Sequence, residues 1–236
     1  MTSGGGPAEG RVIVALDVDT LALAESLVER LTGAVFAFKV GLELFTACGA
    51  DAVRAVTRQG GRVMLDLKLH DIPETVARAT ARAADLGVAF MTLHTGGGRR
   101  MMEAAAQAAR TAGGATRTLG VTVLTSMEDA DLAEVGVPAG AAATVELRAR
   151  LAIASGLDGV VASPREAAAI RALSPTNFLI VTPGVRPAGA AADDQRRVAT
   201  PRAARDAGAN YLVVGRPITH AADPRAAALA IAGELA

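Results

Sequence analysis

Two carboxylates and two ammonium groups in this sequence are spaced so that they could move a proton. In Asp66-Leu-Lys-Leu-His-Asp-Ile-Pro-Glu-Thr75 an acid and a base stand two residues apart, near the end of an apolar run that begins at Arg62. Side chains two apart on a strand share a face, so Asp66 and Lys68 would be aimed side by side from a buried strand. Ion pairs at strand ends are commonly structural and contribute little. Burying charge on a strand that could be wholly apolar is costly, which makes this pair a candidate for acid–base chemistry. Asp71 follows in the loop. Pro73-Glu-Thr-Val then opens a helix with proline in its first turn and an acid beside the N-terminal dipole.

Lysine usage points to the same residues. Of 24 Lys and Arg residues, only Lys39 and Lys68 are lysine. Arginine does not release its proton at working pH and lysine can, so a proton-transfer role is one reason for a lysine to persist in so arginine-rich a chain. Both fall at the ends of expected buried strands rather than on surface helices, where most lysines occur.

These residues need a frame, and the chain supplies one by alternating strand and helix patterns. Strands are expected at Val12–Val18, Phe36–Gly41, Arg62–Leu69, Phe90–Thr95, Arg117–Leu124, Gly159–Ser163, Phe178–Gly184 and Tyr211–Arg216. Helices are expected at about Thr20–Leu31, up to Gln59, Pro73–Leu86, Arg99–Thr111, Glu128–Val135, Gly140–Ser155, from a cap near Ser163-Pro164, and at Pro224–Glu234. Eight short buried strands in alternation with helices predict a closed (β/α)8 barrel, an α/β fold, rather than an open doubly wound sheet. No Pro/Ser linker divides the chain, so residues 11–236 read as a single barrel domain. Residues 1–10, Gly-rich and polar, read as a flexible start with no apolar signal core.

Composition narrows the function classes. The chain has 236 residues, 51% of them hydrophobic, enough for a sizeable core. Formal net charge is +0 and no block of like charge occurs, which argues against a nucleic-acid or membrane-surface binder. The single cysteine, Cys48, leaves neither a disulfide framework nor a cysteine metal site. No apolar run reaches the ~18 residues that span a bilayer. A soluble protein of cytoplasmic type is expected.

In (β/α)8 barrels the active site lies where the strands end. The polar residues at the expected strand ends are Asp17, Lys39, Asp66 with Lys68, His94, Thr125 with Ser126, Ser163, Arg186, and Gly215-Arg216, and all would converge on one mouth. Asp17, Lys39, Asp66 and Lys68 could form an alternating chain of charges, each supporting its neighbour, with Lys68 at the end as a cation ready to deliver a proton. Val-Val-Gly215-Arg216-Pro217 on the eighth strand fits phosphate binding after strands seven and eight, where glycine lets a ligand reach backbone N–H groups and Arg216 adds a bidentate charge. The irregular stretch from Arg186 to about Ala199 has the composition of a mobile lid, from which Arg186 and Gln195 could close over the same group. His70, His94 and His220 are not spaced as metal ligands, and Gly96-Gly-Gly98 reads as a plain turn. No dinucleotide fingerprint, P-loop or nucleophile elbow occurs. Neither a metal nor an organic cofactor is expected.

Taken together, Ala15-Leu-Asp17, Phe38-Lys39-Val-Gly41, Asp66 to Thr75, Val123-Leu-Thr-Ser-Met127, Val181-Thr-Pro-Gly-Val-Arg186, Asp194-Gln195-Arg196-Arg197 and Val214-Gly-Arg-Pro-Ile218 carry a resemblance. In this order they resemble the orotidine 5′-phosphate decarboxylase family, in its bacterial form, over essentially the whole chain. Leu69 departs from the pattern, since the family often has an aromatic there. The resemblance implies removal of CO2 from orotidine 5′-monophosphate to give UMP in pyrimidine biosynthesis, without metal or cofactor, by a homodimer. It implies that Lys68 protonates C6 of the pyrimidine and that Asp66, near the departing carboxylate, orients Lys68 and repels the substrate's charge. Asp17 and Lys39 would hold ribose hydroxyls, Thr125 and Ser126 the pyrimidine, and Arg186, Gln195, Gly215 and Arg216 the phosphate. Asp71, Ile72 and Thr75 would reach into the partner's site, with Asp71 part of the catalytic set.

Two alternatives fit parts of the same pattern. Sugar-phosphate decarboxylases and hexulose-phosphate aldolases of related barrels carry an Asp-x-Lys-x-x-Asp pattern and use Mg²⁺, and Glu43 beyond Gly41 leaves such a site open by spacing. The Asp-Gln-Arg-Arg and Leu-Thr-Ser-Met segments favour the pyrimidine enzyme. A non-catalytic nucleotide-binding barrel would give Lys68 and its charged neighbours no reason to persist.

Overall fold

Residues of alternating parity on short strands divide between a lumen and an outer layer, and that division sets the architecture. The computed structural model describes residues 8–186 and 199–235. In order these form β1 (Val12–Ala15), α1 (Leu21–Leu31), β2 (Ala37–Val40), α2 (Leu42–Cys48), α3 (Ala50–Arg58), β3 (Val63–Leu69), α4 (Pro73–Asp85), β4 (Phe90–His94), α5 (Arg99–Thr111) and β5 (Arg117–Val121). There follow α6 (Asp129–Glu134), α7 (Ala141–Ala154), β6 (Gly159–Val161), α8 (Ala167–Leu173), β7 (Leu179–Thr182), α9 (Pro201–Asp206), β8 (Tyr211–Val214), α10 (Arg216–Thr219) and α11 (Pro224–Gly233). The strands run parallel in sequence order and close into a barrel, with β8 returning to β1 through Val12–Leu212 and Val14–Val214. The (β/α)8 expectation is met.

Ile13, Ala15, Ala37, Met64, Phe90, Leu119, Val181 and Val213 pack together inside the barrel. Their sequence neighbours Val12, Val14, Phe38, Val63, Leu65 and Met91 pack outward with residues of the surrounding helices such as Leu27, Val28, Val53 and Ile231. This is the period-2 alternation of a sheet covered on its outer face. Continuing the inward parity up each strand leads from Ala15 to Asp17, from Ala37 to Lys39, from Met64 to Asp66, and from Phe90 to Thr92 and His94. The same pattern that fills the lumen thus delivers polar groups to its mouth.

Several boundaries differ from the sequence reading, each for a local reason. The helix expected up to Gln59 is two helices, because Gly49 at φ 57° breaks it between α2 and α3. Residues Ala8–Arg11 form a 3₁₀ turn where a flexible start was expected; residues 1–7 lie outside the described residues. Gly96 and Gly97 belong to a short 3₁₀ turn after β4, as a plain turn requires. α9, which sequence periodicity did not suggest, is only six residues long and starts at a Thr200 cap whose hydroxyl accepts from the Ala203 N–H, with Pro201 in its first turn. The stretch expected as a lid is joined at its ends: the Arg186 N–H donates to the Ala199 carbonyl and the Ala199 N–H to the Gly184 carbonyl. Residues 187–198 between them lie outside the described residues. Among the described residues no helix is long and apolar enough to cross a membrane.

Candidate active site

At the C-terminal ends of the strands a cavity of about 450 Å³ opens, a size suited to a small-molecule ligand. Its apolar lining includes Ala15, Met64, Val121, Val161 and Val213, inward-facing residues of their strands. Asp17, Lys39, Asp66 and Lys68 line it from β1, β2 and β3, Thr125 follows β5, and Arg186, Gly215 and Arg216 follow β7 and β8.

The charged residues form the alternating chain expected from their spacing. Lys39 Nζ donates to Asp17 Oδ1 at 2.8 Å and lies 3.8 Å from Asp66 Oδ2. Lys68 Nζ donates to the same Asp66 oxygen at 2.8 Å. Asp66 is buried, whereas the Asp17 side chain is 58% exposed, so the inner carboxylate is the one that depends on its neighbours. Two ammonium groups and a hydroxyl compensate it: Thr92 Oγ1 donates to Asp66 Oδ1 at 2.8 Å. Gly41 leaves room for the outer pair, since a Cβ there would stand 2.8 Å from Lys39 Nζ and 3.3 Å from Asp17 Oδ1.

Lys68 reaches this position differently from the way regular strand geometry would take it there. The β3–β4 ladder shifts register between Leu65 and Leu69, and Lys68 has φ 49°, making it the sole non-glycine residue at positive φ among the described residues. A side-chain-bearing residue holds that conformation only where its surroundings impose it. The backbone turn, rather than simple alternation, brings the Lys68 ammonium back onto Asp66.

Not every expected residue reaches the cavity. Thr125 lines it; Ser126 is exposed and does not. Asp71, Ile72 and Thr75 are exposed and lie outside the lining, with Asp71 Oδ1 accepting from the Ile72 N–H at 2.6 Å. Gln195 lies outside the described residues. Several lining residues were given no role of their own in the sequence reading of the site, among them Leu124, Pro183, Thr219 and His220. Leu124 and Pro183 lie inside the Val-Leu-Thr-Ser-Met and Val-Thr-Pro-Gly-Val-Arg segments and Thr219 follows Gly-Arg-Pro-Ile; His220 gave no signal beyond its place after a strand. Thr92 was legible by parity alone.

Beside Lys68, His94 stacks obliquely on His70 with ring centres 5.6 Å apart. Its proton affinity is lowered, chiefly by burial, then by His70, Arg148 and Lys68 beside it, against which Asp66 pulls the other way. His94 is therefore biased toward the neutral imidazole. Among the described residues no three of His, Cys, Asp and Glu come together as a potential cation site.

The arrangement offers a cation held by a buried carboxylate at one part of the cavity and an arginine-lined, glycine-containing rim at another, a combination suited to an anionic ligand whose reacting atom lies near Lys68. Known proteins resemble this chain over nearly its whole length. Residues 10–231 match the model of the orotidine 5′-phosphate decarboxylase / HUMPS family. The chain is 56% identical over 225 residues to the orotidine 5′-phosphate decarboxylase of Laribacter hongkongensis, covering 95% of this chain and 93% of that one. It is 54% identical over 230 residues to that of Halorhodospira halophila, covering 98% of each. The crystal structure of orotidine 5′-phosphate decarboxylase from Lactobacillus acidophilus superposes with a TM-score of 0.84 at 39% identity, over 95% of this chain and 98% of that one. The chain belongs to the orotidine 5′-phosphate decarboxylase / HUMPS family.

Proposed function

We propose that this protein converts orotidine 5′-monophosphate to UMP and CO2, with Lys68 as the proton donor. The observation that carries this reading is the 2.8 Å contact between the Lys68 ammonium and buried Asp66 at the floor of the cavity. As the bond from C6 to the carboxylate breaks, its electron pair stays on C6 and takes a proton from Lys68; solvent then returns a proton to the amine. Asp66 holds Lys68 on the reacting face, and its negative charge beside the substrate's carboxylate favours the state in which that charge has dispersed. Asp17 and Lys39 bind ribose hydroxyls and keep Asp66 in place.

Arg216 and Arg186 bind the phosphate, with the Gly215 backbone approaching it closely. Their contribution acts at a distance: binding energy from the non-reacting phosphate holds the ring against Lys68, which lowers the barrier at C6. Thr125, which lines the cavity, contacts the pyrimidine. Ser126 is assigned to the same ring by its place in the Leu-Thr-Ser-Met segment.

The working unit is a homodimer in which Asp71, Ile72 and Thr75 complete the partner's site. Support comes from their exposure on the loop and first turn after β3, where Ile72 presents an apolar side chain 65% exposed.

The decisive assay follows the absorbance of orotidine 5′-monophosphate with the purified protein in excess chelator, with UMP identified as the product. Conversion under those conditions is expected. No conversion, together with turnover of a pentulose or hexulose phosphate when Mg²⁺ is supplied, would overturn the reading in favour of a sugar-phosphate enzyme on the same barrel.

A further inference from the structure

β4 contributes a residue on which both ends of the inner ion pair depend. Thr92 is 0% exposed. Its Oγ1 accepts from the Lys68 backbone N–H at 2.9 Å and donates to Asp66 Oδ1 at 2.8 Å. The direction is fixed, because a backbone N–H only donates and the single hydroxyl proton is then left for the carboxylate. The Lys68 N–H meets this hydroxyl where the β3–β4 ladder shifts register, at the residue with φ 49°.

We propose that Thr92 is a positioning residue for proton delivery, with one hydroxyl setting both the left-handed turn at Lys68 and the orientation of the Asp66 carboxylate. With Oδ1 engaged by Thr92, Asp66 presents Oδ2 to Lys39 and Lys68 together. Without the hydroxyl, the carboxylate loses the donor that fixes its plane, and the turn at Lys68 loses an acceptor that helps to impose it. Thr92 is absent from the lining of the cavity, so its influence passes through Asp66 and Lys68. The inference rests on the proposed decarboxylation only for its kinetic readout.

Three variants separate positioning from packing. Thr92→Val keeps the shape and removes the hydroxyl, Thr92→Ser keeps the hydroxyl and removes a methyl, and Thr92→Cys keeps a side chain of similar size with only a weak donor. For Thr92→Val, kcat on orotidine 5′-monophosphate is expected to fall by about 10- to 100-fold while UMP affinity is retained. Thr92→Ser is expected to recover most of kcat and Thr92→Cys to lie below it; the Ser and Cys pair decides if Thr92→Val does not fold. Parental kcat in Thr92→Val, or a Ser variant no better than the Cys variant, would overturn the proposal. The parent chain is assayed first: if it does not decarboxylate the substrate, the proposed function fails, and a crystal structure of Thr92→Val or Thr92→Cys then decides the positioning claim. Lys68 leaving positive φ with Asp66 turned from Lys39 supports it, and both unmoved overturns it.

Discussion

Lys39 stands 3.8 Å from the Asp66 oxygen that Lys68 holds at 2.8 Å, so the only two lysines in the chain share one buried carboxylate oxygen. Two ammonium groups that close repel each other, and a single carboxylate between them is what makes the arrangement tolerable. The outer carboxylate, Asp17, draws Lys39 outward at 2.8 Å. Lys68, its side chain 29% exposed against 12% for Lys39, is left as the more accessible cation. The position of each charge follows from the one before it, and a disturbance at the rim should reach the floor of the cavity.

Gly41→Ala tests that transmission. The glycine has φ −95°, which alanine adopts without strain, so the added methyl acts through space: it would stand 2.8 Å from Lys39 Nζ. A flexible ammonium gives way more readily than backbone does. The expected result is a melting temperature little changed and kcat/KM lowered by about 10- to 100-fold. Unchanged kcat/KM would show that Lys39 need not hold its place.

Arg216→Ala removes a cation from the rim and touches no proton donor. A charge-assisted contact of this kind is worth about 1.5 to 3 kcal/mol, so kcat/KM for orotidine 5′-monophosphate should fall by at least about 10-fold. The nucleoside lacking the phosphate provides the control: its reaction, however slow, should be nearly indifferent to the substitution. Equal losses with both substrates would remove phosphate binding as the explanation.

His94 gives the pH dependence of stability a defined sign. Its folded proton affinity is lowered from the ordinary value of 6.5, chiefly by burial and then by His70, Arg148 and Lys68. The unfolded chain therefore binds the proton more readily, and stability is lost as pH falls from about 6.5 through the lower folded value. Melting temperature should drop more steeply between neutral pH and pH ~5.5 in the parent than in His94→Gln. Parallel curves for the two proteins would contradict this.

How much of this was legible in the sequence differs from residue to residue, for physical reasons. Asp17, Lys39 and Asp66 follow from parity: each continues the inward alternation of a strand whose earlier residues fill the lumen. Thr92 obeyed the same rule and could have been read from Phe90 and His94 on either side, but a threonine in an apolar strand is usually taken as part of the core. Lys68 was found for a reason that holds only in part, since alternation aims it correctly while the actual backbone turns through positive φ; a long-range contact with Thr92 is invisible to local spacing. The break at Gly49 needed a conformation rather than a pattern. α9 was too short to show a period, although Thr200-Pro201 carried its capping signal.

The assignment of Asp71 to a neighbouring site can be read from mixed inactive chains. Lys68→Ala and Asp71→Ala each remove one partner of a shared site, and a mixed dimer rebuilds one intact site from the two chains. Random reassociation should then recover about a quarter of the parental activity. No recovery, with mixed dimers shown to form, would place Asp71 outside the partner's site.

The central claim is that Lys68 delivers the proton to C6, and Lys68→Ala assayed beside the parent in deuterated water tests it most directly. The parent should yield UMP carrying deuterium at C6. The variant should bind UMP and turn over slower by about 10²- to 10⁴-fold. Turnover of Lys68→Ala near the parental rate would contradict the account, since the proton would then come from elsewhere.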